Sequence, residues 1–172
     1  MTNWFTADSH FGHKNIIRHC NRPWKSVDKM NSDLIKNVND LLSPGDTLYH
    51  IGDWCWFGPD RRQYHEALMS KYKDGIIHHL ILGNHDRLAP FTYVDIGFTS
   101  VHTALWMTLN GHNIIMVHDP SAYDVVKNKG TLICGHIHGL FKKIKNTINV
   151  GVDVWDFNPV HEETIVDIIE GN

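Results

Sequence analysis

The chain has 172 residues, enough for one domain over 1–172 that buries about two-thirds of its unfolded surface without help from disulfides. With 16 basic and 19 acidic side chains its formal charge is -3, which argues against bulk electrostatic binding to nucleic acid or to an anionic membrane. Cys20, Cys55 and Cys134 are odd in number and contain no Cys-x-x-Cys pair, so they read as reduced, buried thiols of a cytoplasmic protein. A polar motif already begins at Asp8, which leaves no room for a secretory leader, and no apolar run approaches membrane-spanning length.

The first predicted strand, residues 3–7, runs into Asp8-Ser9-His10. Phe11-Gly12-His13 then turns the chain into a short helix over 14–20, broken by Asn21-Arg22-Pro23-Trp24. From Ser26 onward Val27, Met30, Leu34, Val38 and Leu41 recur at helical spacing, the pattern of an amphipathic helix packed on a sheet, and Ser43-Pro44-Gly45 ends it. A second strand, 46–51, ends in Gly52-Asp53 and is followed by the aromatic loop Trp54-Cys55-Trp56-Phe57-Gly58. Asp60, with Gln63 three residues on, reads as the N-cap of a helix to about residue 73 that buries Tyr64, Leu68 and Tyr72.

The third strand, 76–82, is β-branched and apolar and stops at Gly83-Asn84-His85-Asp86, where the glycine permits a turn that lets three polar side chains project together. Residues 88–97 read as loop. Residues 104–117 read as a hairpin turning at Asn110-Gly111, with His112 exposed beside the turn and the returning strand, 113–117, ending in His118. A short helix is expected over 121–127, and a strand over 131–134 that ends in Gly135-His136-Ile137-His138. Residues 140–144 and 147–152 alternate as a second hairpin, in which Lys142, Lys143 and Lys145 form a solvated edge that discourages pairing with another sheet.

Each of these tips alone is an ordinary turn. Together, in the order D-x-H, G-D, G-N-H-D, H and G-H-x-H, they resemble the calcineurin-like metallophosphoesterases from Asp8 to His138, and residues 149–153 with Pro159-Val160 look like that family's closing strand. The resemblance implies an α/β fold, a four-layer αββα sandwich of two mixed sheets flanked by helices. Strands that alternate with helices early and form hairpins late agree with it.

The resemblance also places one divalent ion on Asp8, His10, Asp53 and His138 and a second on Asp53, Asn84, His118 and His136, with Asp53 bridging. The donors are oxygen and nitrogen, which suits manganese first, with iron, nickel or zinc acceptable. In such a site a metal-bridging hydroxide attacks phosphorus, His85 is the general acid, and Asp86 orients its ring. The implied activity is hydrolysis of a small phosphate ester or nucleotide, with phosphodiesterase preferred by analogy. Phosphomonoesterase and nucleotide pyrophosphohydrolase are the alternatives within chemistry, and a protein-binding scaffold on the same fold is the alternative outside it.

The stretch Phe11 to Ile17 is similar to one in a bacterial and phage-type branch, which makes His13 and Arg22, with Lys14, the candidates for phosphate contact. Trp54, Trp56 and Phe57 read as a cap on the core or as a platform for a nucleobase. His118 is followed by Asp119-Pro120 where many relatives carry glycine, a departure that bears on the substrate mouth and not on the ligand. His50, His65, His78, His79, His102 and His161 match no motif position and are assigned no chemistry.

Overall fold

Side chains alternating along the strands sort between two cores, and that sorting sets the layers. The computed structural model describes residues 1–56, 61–122 and 129–171. Four strands, β1 (Asn3–Thr6), β2 (Thr47–Ile51), β3 (Ile77–Ile81) and β4 (Ser100–His102), lie parallel in that order. The second sheet contains β5 (Leu105–Leu109), β6 (His112–Met116), β7 (Thr131–Cys134), β8 (Lys143–Ile144) and β9 (Thr147–Asn149), in the order β5-β6-β7-β9-β8. Its three inner strands are parallel and its two edges antiparallel. The last strand, β10 (Val160–His161), returns to the first sheet and pairs antiparallel with β1.

Leu48 of β2 and Leu80 of β3 face the helices α1 (Lys14–His19), α2 (Val27–Leu41), α3 (Arg61–Met69) and α4 (Pro90–Asp95), where they meet Met30, Leu34, Ile35, Val38, Leu68 and Tyr93. Phe5, Ile51 and Ile81 point the other way, onto Ile114, Met116, Ile133 and Ile148 of the second sheet. The result is the expected α/β sandwich of two mixed sheets flanked by helices. Among the described residues no helix is long and apolar enough to cross a membrane.

Several elements differ from the sequence reading. Within 88–97, read as loop, α4 forms on Pro90 at its first turn, and β4 follows. A six-residue helix that buries only Tyr93, and a strand of three half-buried residues, are too short to show a period. A terminal helix, α5 (Glu162–Glu170), was not foreseen; it drives Ile165 and Val166 into the inter-sheet core and ends on Gly171 in the left-handed conformation. The α3 helix stops at Met69, short of residue 73. The second hairpin is shorter than expected, because the chain leaves β9 at Asn149 and coils into a 3-10 turn over Val152–Val154. Cys20 is half-buried where full burial was expected. The expected cap at Asp60, the loop residue Phe57 and most of the helix over 121–127 lie outside the described residues, with Pro120–Ala122 forming a 3-10 turn.

The Asn110-Gly111 turn joins β5 to β6 with both residues at positive φ, as that dipeptide predicts. The lysine-rich β8 is the edge of its sheet.

One of the unassigned histidines makes stability depend on pH. His78 is buried edge-on to Tyr72, with ring centroids 4.7 Å apart, and burial pushes its pKa down to about 4. Below about pH 6.5 the unfolded chain takes up a proton that the folded chain refuses, so this stabilisation is present at neutral pH and lost as pH falls from about 6.5 towards 4. At pH 5 the loss from this group amounts to about 2 kcal/mol. Denaturant titrations at pH 7 and pH 5 should show a drop that is smaller by that amount in His78→Phe; an unchanged drop would remove His78 as its source.

Candidate metal centre

The loops after β1 and β2 run side by side, because the N–H groups of Asp8 and His10 donate to the carbonyls of Gly52 and Asp53, at 3.0 Å each. The second sheet is tied to them by two ligand-type residues. His118 Nδ1 lies 2.8 Å from the Ile51 carbonyl, and the His136 N–H donates to the Asp8 carboxylate at 2.9 Å. Such close approach leaves no room for side chains ahead of the ligands. A Cβ on Gly52, whose φ is +80°, would fall 2.3 Å from His118 Nδ1, and one on Gly83 would fall 2.3 Å from Asp53 Oδ1.

The backbone is bent at the ligand positions themselves. Asp8, His10, Asp53, His136 and His138 have φ between +47° and +72°, a left-handed region that costs non-glycine residues energy and gathers at functional sites.

Asp8, His10 and His138 each present one donor atom within 4.8 Å of the others, and so do Asp53, His118 and His136. Asp53 stands between the two groups, with Oδ2 3.5 Å from His10 Nε2 and 3.3 Å from His118 Nε2. Asn84 joins the second group, its Oδ1 3.0 Å from His136 Nδ1. The structure therefore brings together every side chain expected from the sequence to hold metal.

The donor set fits cations. His10 is 2% exposed and neither of its ring nitrogens has a hydrogen bond, and the buried His118 Nε2 has none either. A carbonyl only accepts, so His118 Nδ1 carries the proton given to Ile51, and Nε2, when it carries none, turns a lone pair toward the Asp53 carboxylate. Two acceptors facing each other in the interior call for a proton or a metal ion between them. Imidazole, carboxylate and amide oxygen together suit a divalent first-row ion, and two groups meeting at Asp53 suit a pair of them. The carboxylates make the centre attract positive charge, a proton in the absence of metal. Burial alone would lower the pKa values of His118 and His138, yet their carboxylate neighbours hold them up at about 9 and about 10. Asp53, in spite of its burial, is held far below the usual carboxylate range by His118 and His10.

His85 lies at the open side of this centre. Its backbone N–H donates to Asp53 Oδ1 at 2.8 Å and its Nε2 is 3.9 Å from Asp53 Oδ2. Asp86 does not orient the ring, as the sequence reading had it. Its carboxylate accepts from the backbone N–H groups of Asp53, Trp54 and Gly83, at 2.8, 3.0 and 2.9 Å, and so clamps the loop after β2 to the loop after β3. Burial pushes that carboxyl up to about 7, with the Gly83 N–H pulling the other way. What borders the His85 ring instead is Trp56, at 4.6 Å between centroids, and His10, at 5.3 Å. Trp56 also stacks on His13, 3.9 Å away with the ring planes nearly parallel at 9°. Trp54 is buried against Phe11 and Phe98 and belongs to the core.

Arg22 also differs from expectation. Its side chain is fully buried and its guanidinium is committed to Asp153 and to the carbonyls of Asp8 and Ser9, so it has no donor turned to a substrate phosphate. Asp153 itself was missed as a site residue. The signal available was the same glycine-then-acid construction seen at the other tips, in Gly151-Val152-Asp153. Asn149 was missed too; it is wholly buried and its amide donates to the His138 carbonyl at 2.8 Å.

No family model matches the chain. It is 29% identical over 174 residues to the uncharacterized protein MJ1445 of Methanocaldococcus jannaschii, across 97% of this chain and 90% of that one. Its fold is shared with AQ665, a protein of unknown function from Aquifex aeolicus. That likeness has a TM-score of 0.77 at 23% identity, and spans 97% of this chain and 98% of the other. A nuclease, MPE of Pseudomonas putida, is also similar, with a TM-score of 0.54 and 19% identity over 79% of this chain and 61% of the nuclease. These likenesses establish the fold.

Proposed function

We propose that the protein hydrolyses phosphate esters with two divalent metal ions, phosphodiesters being its preferred substrates. The observation that carries this reading is the meeting of two carboxylate and imidazole groups at Asp53 Oδ2, with buried imidazole nitrogens left unbonded around it. Bound there, a pair of divalent ions, manganese in the first place, would supply charge to attract a phosphate and an activated water to attack it. Asp8, His10, Asp53 and His138 would hold one ion, and Asp53, Asn84, His118 and His136 the other.

His85 is placed to hold a proton for the departing oxygen, since its ring is 24% exposed while Nε2 still reaches the centre. Trp56 and His10 limit the tilt of that ring. His13 stands beyond Trp56, and because burial lowers its pKa to about 4 it would meet phosphate oxygens as a neutral donor. The diester preference is supported by the fold shared with a nuclease, since nucleases cut phosphodiester links. The unpaired thiols of Cys20, Cys55 and Cys134 suit a reducing compartment such as the cytoplasm.

The test is a panel assay of purified protein, stripped with chelator and reloaded with Mn²⁺. Diesters should be cleaved faster than monoesters or pyrophosphates of the same alcohol. Cleavage of monoesters alone, or of pyrophosphates alone, would move the reading to phosphomonoesterase or pyrophosphohydrolase. Failure on every substrate would favour the protein-binding scaffold.

A further inference from the structure

The turn beyond β9 carries a carboxylate that the ligand set does not use. Asp153 sits in the 3-10 turn after β9, which is drawn to the first sheet by the Val152 N–H donating to the Ala7 carbonyl at 3.1 Å. Both of its oxygens are hydrogen-bonded. Oδ1 accepts from Arg22 Nε at 2.7 Å, and Oδ2 accepts from Arg22 Nη2 at 2.9 Å and from His138 Nδ1 at 2.8 Å. The rest of the guanidinium donates to the Asp8 carbonyl at 2.7 Å and the Ser9 carbonyl at 3.0 Å. One buried ion pair thus grips both sides of the Asp8, His10 and His138 group: the ring of His138, and the backbone that carries the other two.

We propose that Asp153 and Arg22 are positioning residues that make this group, and not the one at His118 and His136, the tighter of the two metal positions. The inference rests on the reading that both groups hold ions. Asp153 receives the Nδ1 proton of His138, which fixes the tautomer, leaves Nε2 as the ligand atom and raises its basicity. Arg22 neutralises Asp153 in the interior, and its bonds to the Asp8 and Ser9 carbonyls hold the left-handed turns at Asp8 and His10 against relaxation. In the second group Asp86 and Asp8 hold backbone N–H groups, but among the described residues no carboxylate orients a ligand ring from behind. His118 leans on a neutral carbonyl, and His136 and Asn84 are exposed. The Cys20 thiol also lies beside His138 and Asp153, where the Asp153 carboxylate is already paired with the Arg22 guanidinium.

Equilibrium dialysis of the stripped protein against Mn²⁺, with metal analysis, tests the proposal on wild type, on Asp153→Asn and on the double variant Arg22→Met/Asp153→Asn. The single variant leaves a buried guanidinium without its partner, which destabilises folding in its own right; the double variant removes that charge. Wild type should bind two ions. The folded double variant should keep one at unchanged affinity and bind the other roughly 10–100-fold more weakly. With Mn²⁺ just sufficient to fill both positions of wild type, electron paramagnetic resonance should show a coupled pair in wild type and an isolated ion in the folded double variant, a change that general destabilisation would not produce. Retention of both ions at wild-type affinity would overturn the assignment. If wild type itself binds no ion, the underlying metal reading fails, and the wild-type arm shows this alone. A measurement that needs no variant is nitrogen NMR of histidine-labelled wild type loaded with Zn²⁺. His138 should carry its proton on Nδ1, and a proton on Nε2 would overturn the role of Asp153.

Discussion

His85→Ala should retain both metal ions and lose roughly 10²–10⁴-fold in kcat/KM on an alkyl or nucleoside ester, with a clearly smaller loss on a nitrophenyl ester. Only a poor leaving group needs the proton that His85 would deliver, and a nitrophenolate departs nearly unaided. Geometry separates His85 from the ligands beside it. Asn84, one residue earlier on the same turn, reaches the His136 ring, while the His85 ring is wedged between Trp56 and His10 with Nε2 3.9 Å from the Asp53 carboxylate. Parallel assays on the two ester classes, with metal analysis of the variant, decide the matter. Equal losses on both esters, or a missing ion, would reassign His85 to phosphate binding or to the ligand set, and His13, across Trp56, would become the acid to test.

Asp53→Asn should cost the protein both ions. Asp53 Oδ2 lies 3.3 Å from an imidazole of one ligand group and 3.5 Å from an imidazole of the other, so its charge is shared between them. An amide has nearly the same shape and its oxygen can still accept the His85 N–H, now bonded at 2.8 Å, so the loop after β3 should stay in place while the charge is removed. Each ion should bind at least about 100-fold more weakly, more than the loss of a supporting residue causes. Metal analysis after dialysis reads the result. Loss of one ion with the other held as tightly as in wild type would make Asp53 a ligand of one position and not a bridge.

Much of the centre was legible because parallel strands deliver their ends to one edge, so glycine followed by acids and histidines at several successive tips announces convergence before any contact is known. Side-chain type does not reveal what a group does once it arrives. Asp86 and Arg22 have the chemistry of an orienting acid and a phosphate ligand, yet one clamps two loops through their backbone N–H groups and the other is buried, bonded to Asp153 and to the carbonyls of Asp8 and Ser9. Those uses depend on backbone groups, which carry no sequence signal. Asp153 was hidden for a related reason, since its partners Arg22 and His138 lie 131 and 15 residues away in sequence. In the fold, α2 and the Asn110-Gly111 hairpin were legible from period and turn chemistry. By contrast α4 and β4 are too short to display a period, and only their contacts with the larger core define them.

The most direct measurement is hydrolysis of a simple phosphodiester followed while Mn²⁺ is titrated into chelator-stripped protein, with bound metal counted in the same samples. Activity should be negligible until the second ion begins to bind and should reach its plateau when both groups, joined at Asp53, are filled. Full occupancy of two ions without hydrolysis of any ester, or hydrolysis that persists undiminished in the stripped protein, would contradict a phosphoesterase built on this centre.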